Sequence, residues 1–187
     1  MPHGLLTVAQ AAGFLKEGGV VAYPTEAVFG LGCDPANEKA VKRILNLKNR
    51  SAAVGLILIT DYYDRVAGWV AELDPEMLRK AFNSWPGPVT WLIPQSNQTP
   101  DWLTGEHDCL AIRVSAHPVC RALCAEFGGA IVSTSANVTG QPSGRTAAEV
   151  ESVFNEGIAG IVEGEVGDSL QPTEIRDLQS GRTLRAS

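Results

Sequence analysis

The 187-residue chain is 44% hydrophobic and 19% charged, with a net charge of −6. These values describe an ordinary soluble globular protein of one domain, residues 1–187, and count against broad non-specific binding to nucleic acid, though not against a local basic patch. The N-terminus lacks the charged segment, apolar core and cleavage site of a signal peptide, and apolar runs such as Gly55–Ile59 are far too short to cross a bilayer, so the expected compartment is the cytoplasm.

Helix and strand signals alternate along the chain. Thr7 with Gln10 reads as a capping box, and Val8, Ala11, Ala12 and Leu15 follow at helical spacing until Gly18-Gly19 stops them. Val20–Tyr23 is a buried strand ended by Pro24. Asn37 caps a helix through EKAVKRILNLK, with Val41, Ile44, Leu45 and Lys48 on one stripe, and Gly55–Ile59 is a second buried strand. Asp74-Pro75 opens a helix to about Asn83. A strand starts at Val89 after a Gly/Pro turn, and CLAIRVS is another. Pro118–Phe127 is a helix closed by Gly128-Gly129, and AIVST follows as a strand. Thr146 with Glu149 caps a further helix to about Asn155, GIVEG is a strand, and the tail from Thr173 forms a hairpin turning at Ser180-Gly181. Strands apolar on both faces and separated by helices predict an α/β fold, and the final hairpin makes its sheet mixed.

Familiar catalytic motifs are missing. No P-loop, complete dinucleotide fingerprint, G-x-S-x-G elbow or H-E-x-x-H occurs, and neither the four cysteines nor the three histidines have metal-ligand spacing. Cys120 and Cys124 share a helical face and read as buried; His117 reads as a surface-loop residue. If the chain is an enzyme, the expectation is chemistry by positioning and charge neutralisation more than by a covalent nucleophile.

Four stretches are more polar, or richer in special backbone residues, than packing needs. In YPTEAVFGLGCDP a strand ends and the chain turns through Gly30 and Gly32. Lys48 and Arg50 close a helix, where they complement its dipole or face phosphate oxygens. Arg113 interrupts the apolar strand LAIRV, either on a solvated edge or paired in a cleft, where its fork suits a carboxylate. GAIVSTSANVTGQPSG crowds Ser133, Thr134, Ser135, Asn137, Thr139 and Ser143 at a strand end, as a turn or as a polar ligand shelf. Each lies at or near an element end, where open α/β sheets bind ligands.

PTEAVFGLG, Lys-x-Arg, WPGPVT, AIRVSAHP, STSANVTGQPSGRT and EIRD, in that order over almost the whole chain, resemble the YrdC/TsaC family of threonylcarbamoyl-AMP synthases in its short, single-domain form. The resemblance implies a twisted mixed sheet with helices packed on it and a concave basic cleft. It also implies a reaction: L-threonine, bicarbonate or carbon dioxide, and ATP with Mg2+ give threonylcarbamoyl-AMP and pyrophosphate. A downstream complex then transfers the threonylcarbamoyl group to tRNA. By that resemblance Lys48 and Arg50 face the phosphates as the catalytic cations. Thr25, Arg113, Ser133 and Thr173 hold threonine. Arg50, Ser135, Asn137, Ser143 and Arg185 bind the nucleotide, and no protein side chain ligates metal. Val54 stands where relatives often carry a polar or basic residue, and Arg145 is the candidate to supply the missing charge. The competing reading is a module that binds tRNA, structured rRNA or double-stranded RNA without chemistry, and a third is a regulatory or maturation subunit that only borrows the fold.

Overall fold

The computed structural model describes residues 4–169 and 171–186. Its strands are β1 (Leu5–Leu6), β2 (Val21–Pro24), β3 (Phe29–Gly32), β4 (Ile57–Thr60), β5 (Thr90–Pro94), β6 (Cys109–Val114), β7 (Ile131–Ser135), β8 (Gly160–Val162), β9 (Ile175–Asp177) and β10 (Thr183–Arg185). The helices are α1 (Val8–Lys16), α2 (Glu38–Lys48), α3 (Pro75–Phe82), α4 (Asp101–Thr104), α5 (Pro118–Phe127) and α6 (Ala147–Phe154). Among the described residues the strands form one ten-stranded sheet in the order β1-β8-β2-β3-β7-β4-β6-β5-β9-β10. It is mixed: β4 runs parallel to β6 and β5 to β9, whereas β2–β3, β3–β7 and β4–β7 are antiparallel.

Local chemistry explains the boundaries. Thr7 and Thr146 each form a complete capping box, and Asp74 caps α3 through the Met77 N–H with Pro75 in the first turn. Gly128, at φ 90°, ends α5 in the left-handed region. The tail hairpin forms as β9 and β10, with Gly181 at φ 72° in its turn.

The middle of the sheet is buried on both faces because its strands alternate between two apolar clusters. Val21, Tyr23, Ile59, Ile131 and Val162 point to the face covered by α1 and α5; Cys120 and Cys124 pack there too, as the helical spacing predicts. Val20, Ala22, Leu31, Leu58 and Val132 point to the other face, against Val41 and Ile44 of α2 and Phe154 of α6.

Two expectations are corrected. Gly30 and Gly32 do not form a turn: they pair with Tyr23 and Val21 inside β3. Gly32 is glycine because the Tyr23 ring lies across the strand. A Cβ on Gly32 would sit 2.6 Å from the ring and 2.7 Å from the Val132 carbonyl oxygen. Nor is His117 a surface residue: it is buried, and its Nε2–H donates to the Glu165 carbonyl at 3.1 Å. Its backbone N–H donates to Ser115 Oγ at 3.1 Å, which draws the chain entering α5 inward.

Candidate active site

α1 and α5 cover only part of their face of the sheet. Along β6 the period of two sends Leu110, Ile112 and Val114 into the opposite core and leaves Cys109, Ala111 and Arg113 on the α5 side. On β7, Ile131 lies in the α1/α5 cluster, while Ser133 and Ser135, on the same face, stand beyond it. The register places Ile57 of β4 between Ser133 and Ala111. A cavity of about 1000 Å³ opens over this uncovered floor. Thr25, Arg50, Arg113, Ser133, Ser135, Ser143, Thr173 and Arg185 all line it. Lys48 and Asn137 are not among its wall residues.

Arg113 is 5% exposed. Its Nη1 donates to Thr173 Oγ1 at 2.7 Å, and its Nη2 lies 3.5 Å from Glu26 Oε2. The strand arginine is therefore paired inside a cleft. Arg185, on β10, donates through Nε and Nη2 to the Thr173 carbonyl at 3.0 and 2.6 Å, so two guanidiniums converge on one threonine. Burial lowers the affinity of Arg185 for its proton, and the neighbouring charges of Arg113 and Arg50 lower it further. Burial does the same to Arg50. Like charges gathered in a partly desolvated cavity form a receptor for an anion, which would relieve both penalties.

The end of α2 assigns its last residues to different tasks. Lys48 continues the buried stripe of Val41, Ile44 and Leu45, so it approaches β7 from the opposite core rather than through the cavity. It is 2% exposed. Its ammonium donates to the Ser135 carbonyl, to the Asn137 carbonyl at 2.7 Å and to Asn137 Oδ1 at 3.3 Å. Burial, then the charge of Arg50, lowers its pKa to about 8. Asn49 adopts the left-handed region at φ 49°, which turns the chain out of the helix. Arg50 then returns to the cavity and donates through Nη2 to the Gly55 carbonyl at 3.1 Å.

The polar segment after β7 is built around Asn137. Its Oδ1 accepts from Ser135 Oγ at 2.6 Å and Ser143 Oγ at 3.3 Å, and its Nδ2 donates to the Gln141 carbonyl at 2.8 Å. The segment is a braced turn: Asn137 and Lys48 hold the loop from within, and Ser135 and Ser143 face the cavity. Arg145 lines the cavity as well, donating to the carbonyls of Ala27 at 2.7 Å and Ser169 at 3.2 Å. Val54 is an exposed wall residue on the Arg50 side.

Sequence reasoning gave no role to Glu26 or Gly30. Gly30 floors the cavity, where a Cβ would lie 3.3 Å from Thr25 Cγ2 and 3.5 Å from Ser133 Oγ. Its legible signal was a glycine inside a run that pairs as a strand. Glu26 carried no signal, because its partners Arg113 and Ser115 are distant in sequence. Burial pushes up the thiols of Cys33, Cys120 and Cys124, the last to about 12, so none is a ready nucleophile. Among the described residues no group of three or more His, Cys, Asp or Glu is arranged to hold a metal.

Fold and site together define an α/β protein with an arginine-lined, hydroxyl-rimmed cavity. The family model described as "Telomere recombination", covering Sua5, YciO and YrdC, matches residues 13–187, and the chain belongs to that family. The threonylcarbamoyl-AMP synthase of Xanthomonas oryzae is 50% identical over 187 residues, covering 99% of this chain and 100% of that protein. The synthase of Xylella fastidiosa is 48% identical over 182 residues, covering 96% and 97%. Among solved structures, P. abyssi Sua5 complexed with L-threonine superposes with a TM-score of 0.85 at 35% identity, covering 91% of this chain and 50% of that one. E. coli YciO shares the fold, with a TM-score of 0.84 at 23% identity, covering 95% and 87%.

Proposed function

We propose that this chain, acting as a single domain in the cytoplasm, is a nucleotidyltransferase. It makes L-threonylcarbamoyl-AMP and pyrophosphate from L-threonine, bicarbonate or carbon dioxide, and ATP, for the threonylcarbamoyl modification of tRNA by a downstream complex. The observation that carries the reading is the buried Arg113, held beside Thr173 in a cavity that Arg50 and Arg185 also line.

Arg113 takes the threonine carboxylate, with Thr25, Ser133 and Thr173 around the rest of the amino acid. The ammonium loses one proton to become the amine, which attacks carbon dioxide and gives up a second N–H proton to solvent, leaving an N-carboxylate. A carboxylate oxygen then attacks the α-phosphorus of ATP, a P–O bond forms, and pyrophosphate leaves with the electrons of the broken bond. Positive charge must await the phosphate oxygens. Arg50 and Arg185 supply it, with Ser135 and Ser143 as hydroxyl donors and Arg145 as a further cation from beside Ala27 and Ser169. Mg2+ enters with ATP as part of the substrate. Asn137 and Lys48 serve the nucleotide by holding the Ser135–Ser143 loop in shape, and the Lys48 charge acts from beneath it.

The test is pyrophosphate release by the purified chain with ATP, Mg2+, bicarbonate and L-threonine, with serine or valine in place of threonine as controls. Release that needs both threonine and bicarbonate, and that Arg113→Ala abolishes, is the expected result. No release under any condition overturns the reading. The arginines line a concavity instead of tracking an exposed face, which favours a small anion over an RNA backbone. Steeply salt-dependent RNA binding without turnover would reverse that preference.

A further inference from the structure

Arg113 is held from two sides, and the side away from the cavity has no part in the chemistry above. Thr173 Oγ1 receives Nη1 at the cavity. Glu26 Oε2 stands 3.5 Å from Nη2, a charge contact longer than a hydrogen bond. Glu26 is not a wall of the cavity. Its side chain is 12% exposed, and its Oε1 accepts from Ser115 Oγ at 2.6 Å. Ser115 Oγ in turn accepts the His117 N–H at 3.1 Å. The Glu26 backbone is pinned as well: its carbonyl accepts from the Ser169 N–H at 3.2 Å, and a Cβ on Gly167 would lie 2.7 Å from that oxygen.

We infer that Glu26 is a positioning residue for the amino-acid substrate, acting through Arg113 and fixed in turn by Ser115. A long arginine side chain has many rotamers, and a carboxylate is bound well only when the guanidinium presents one edge. Arg185 repels Arg113, and the Thr173 hydroxyl on the cavity side is neutral and does not offset that charge. Glu26 supplies the opposite charge from behind. Burial opposes ionisation of Glu26, but Arg113, the Ser115 hydroxyl and a backbone N–H outweigh it and hold the carboxyl below its ordinary range. The carboxylate therefore stays charged at neutral pH and draws Nη2 away from its arginine neighbours. Of the groups assigned above to the nucleotide, Arg50, Ser135 and Ser143 do not touch Glu26, and Arg185 bonds the Thr173 carbonyl instead.

This inference rests on Arg113 being the threonine carboxylate receptor. The experiment is calorimetric titration of the full chain with L-threonine and, separately, with ATP, for the wild type, Glu26→Gln and Ser115→Ala. Loss of one charge-assisted contact predicts that Glu26→Gln weakens threonine binding about tenfold while ATP affinity stays within about twofold. Ser115→Ala, which unties Glu26 without stranding a charge, shifts threonine binding in the same direction by less, and supplies the answer should Glu26→Gln not fold. Threonine affinity unchanged in the folded variants overturns the inference, as does equal weakening of threonine and ATP. Pyrophosphate release by the wild type is scored separately. Selective loss of threonine binding without turnover in the wild type leaves the positioning role standing and sinks the synthase reading.

Discussion

Lys48 and Arg113 have opposite surroundings, and each predicts its own behaviour. Lys48 keeps three oxygens of the Ser135–Asn137 segment in place only while it carries three protons. With its pKa lowered to about 8, nucleotide binding at saturating threonine falls as pH rises through about 8, and Lys48→Met removes that limb from the pH profile of kcat/KM for ATP. Stability moves the other way. The unfolded chain keeps this proton up to about 10.5, so between about 8 and 10.5 it binds more protons than the folded chain and Lys48 makes folding more favourable with rising pH. Denaturant titrations at the two ends of that window check the sign. Arg113→Lys preserves a charge beside Glu26 but not a fork that reaches both Glu26 and Thr173. The variant folds, and its KM for threonine rises by about tenfold or more, the value of one or two lost charge-assisted bonds.

At the scale of elements, β3 carries the sharpest contrast. Its two glycines face the same ring, Tyr23, yet only Gly30 also borders the cavity. Gly32→Ala forces a methyl into the Tyr23 ring and the Val132 carbonyl and costs about 1–3 kcal/mol of stability, read as a lower midpoint of unfolding. Gly30→Ala meets its neighbours at 3.3 Å or more, so stability changes by less than about 1 kcal/mol. Its methyl projects between Thr25 and Ser133 and raises the KM for threonine, with little effect on that for ATP. The pair separates a glycine kept for packing from one kept for ligand space. Elements were otherwise well marked: capping boxes at Thr7 and Thr146, the Asp74-Pro75 start and the Gly128 stop are local devices and read directly. The strand from Phe29 to Gly32 was not, because glycines look like a turn until the ring that needs their missing side chains is in place. The short β1 and α4 were equally invisible, since two to four residues carry no period.

Across the whole molecule, Arg50, Arg113 and Arg185 come from α2's end, β6 and β10, and their mutual repulsion is tolerated because the rest of the sheet supplies the stability. An anion that binds among them stabilises the fold by mass action. Pyrophosphate at about 100 times its dissociation constant raises the unfolding free energy by about 2.7 kcal/mol, seen as a higher Tm, and sodium chloride of equal ionic strength does not match it. No shift with pyrophosphate would mean that the three guanidiniums do not form one receptor.

By itself the sequence determined the alternation of apolar strands and amphipathic helices, the mixed sheet, and the positions of the polar segments, because periodicity, caps and turns are properties of neighbouring residues. It also marked Arg113 as paired or solvated, and Lys48 as a cation at a helix end that either complements the helix dipole or faces phosphate oxygens. Only the tertiary structure decided which. Sheet order places Thr173 and Glu26 on either side of Arg113, and it brings α2 under the end of β7, so that Lys48 meets backbone oxygens rather than the cavity. It also buried His117 and gave Glu26 its partners. Such contacts join residues 48 to 89 positions apart, and no local pattern encodes the distance between side chains that meet only when the chain has folded.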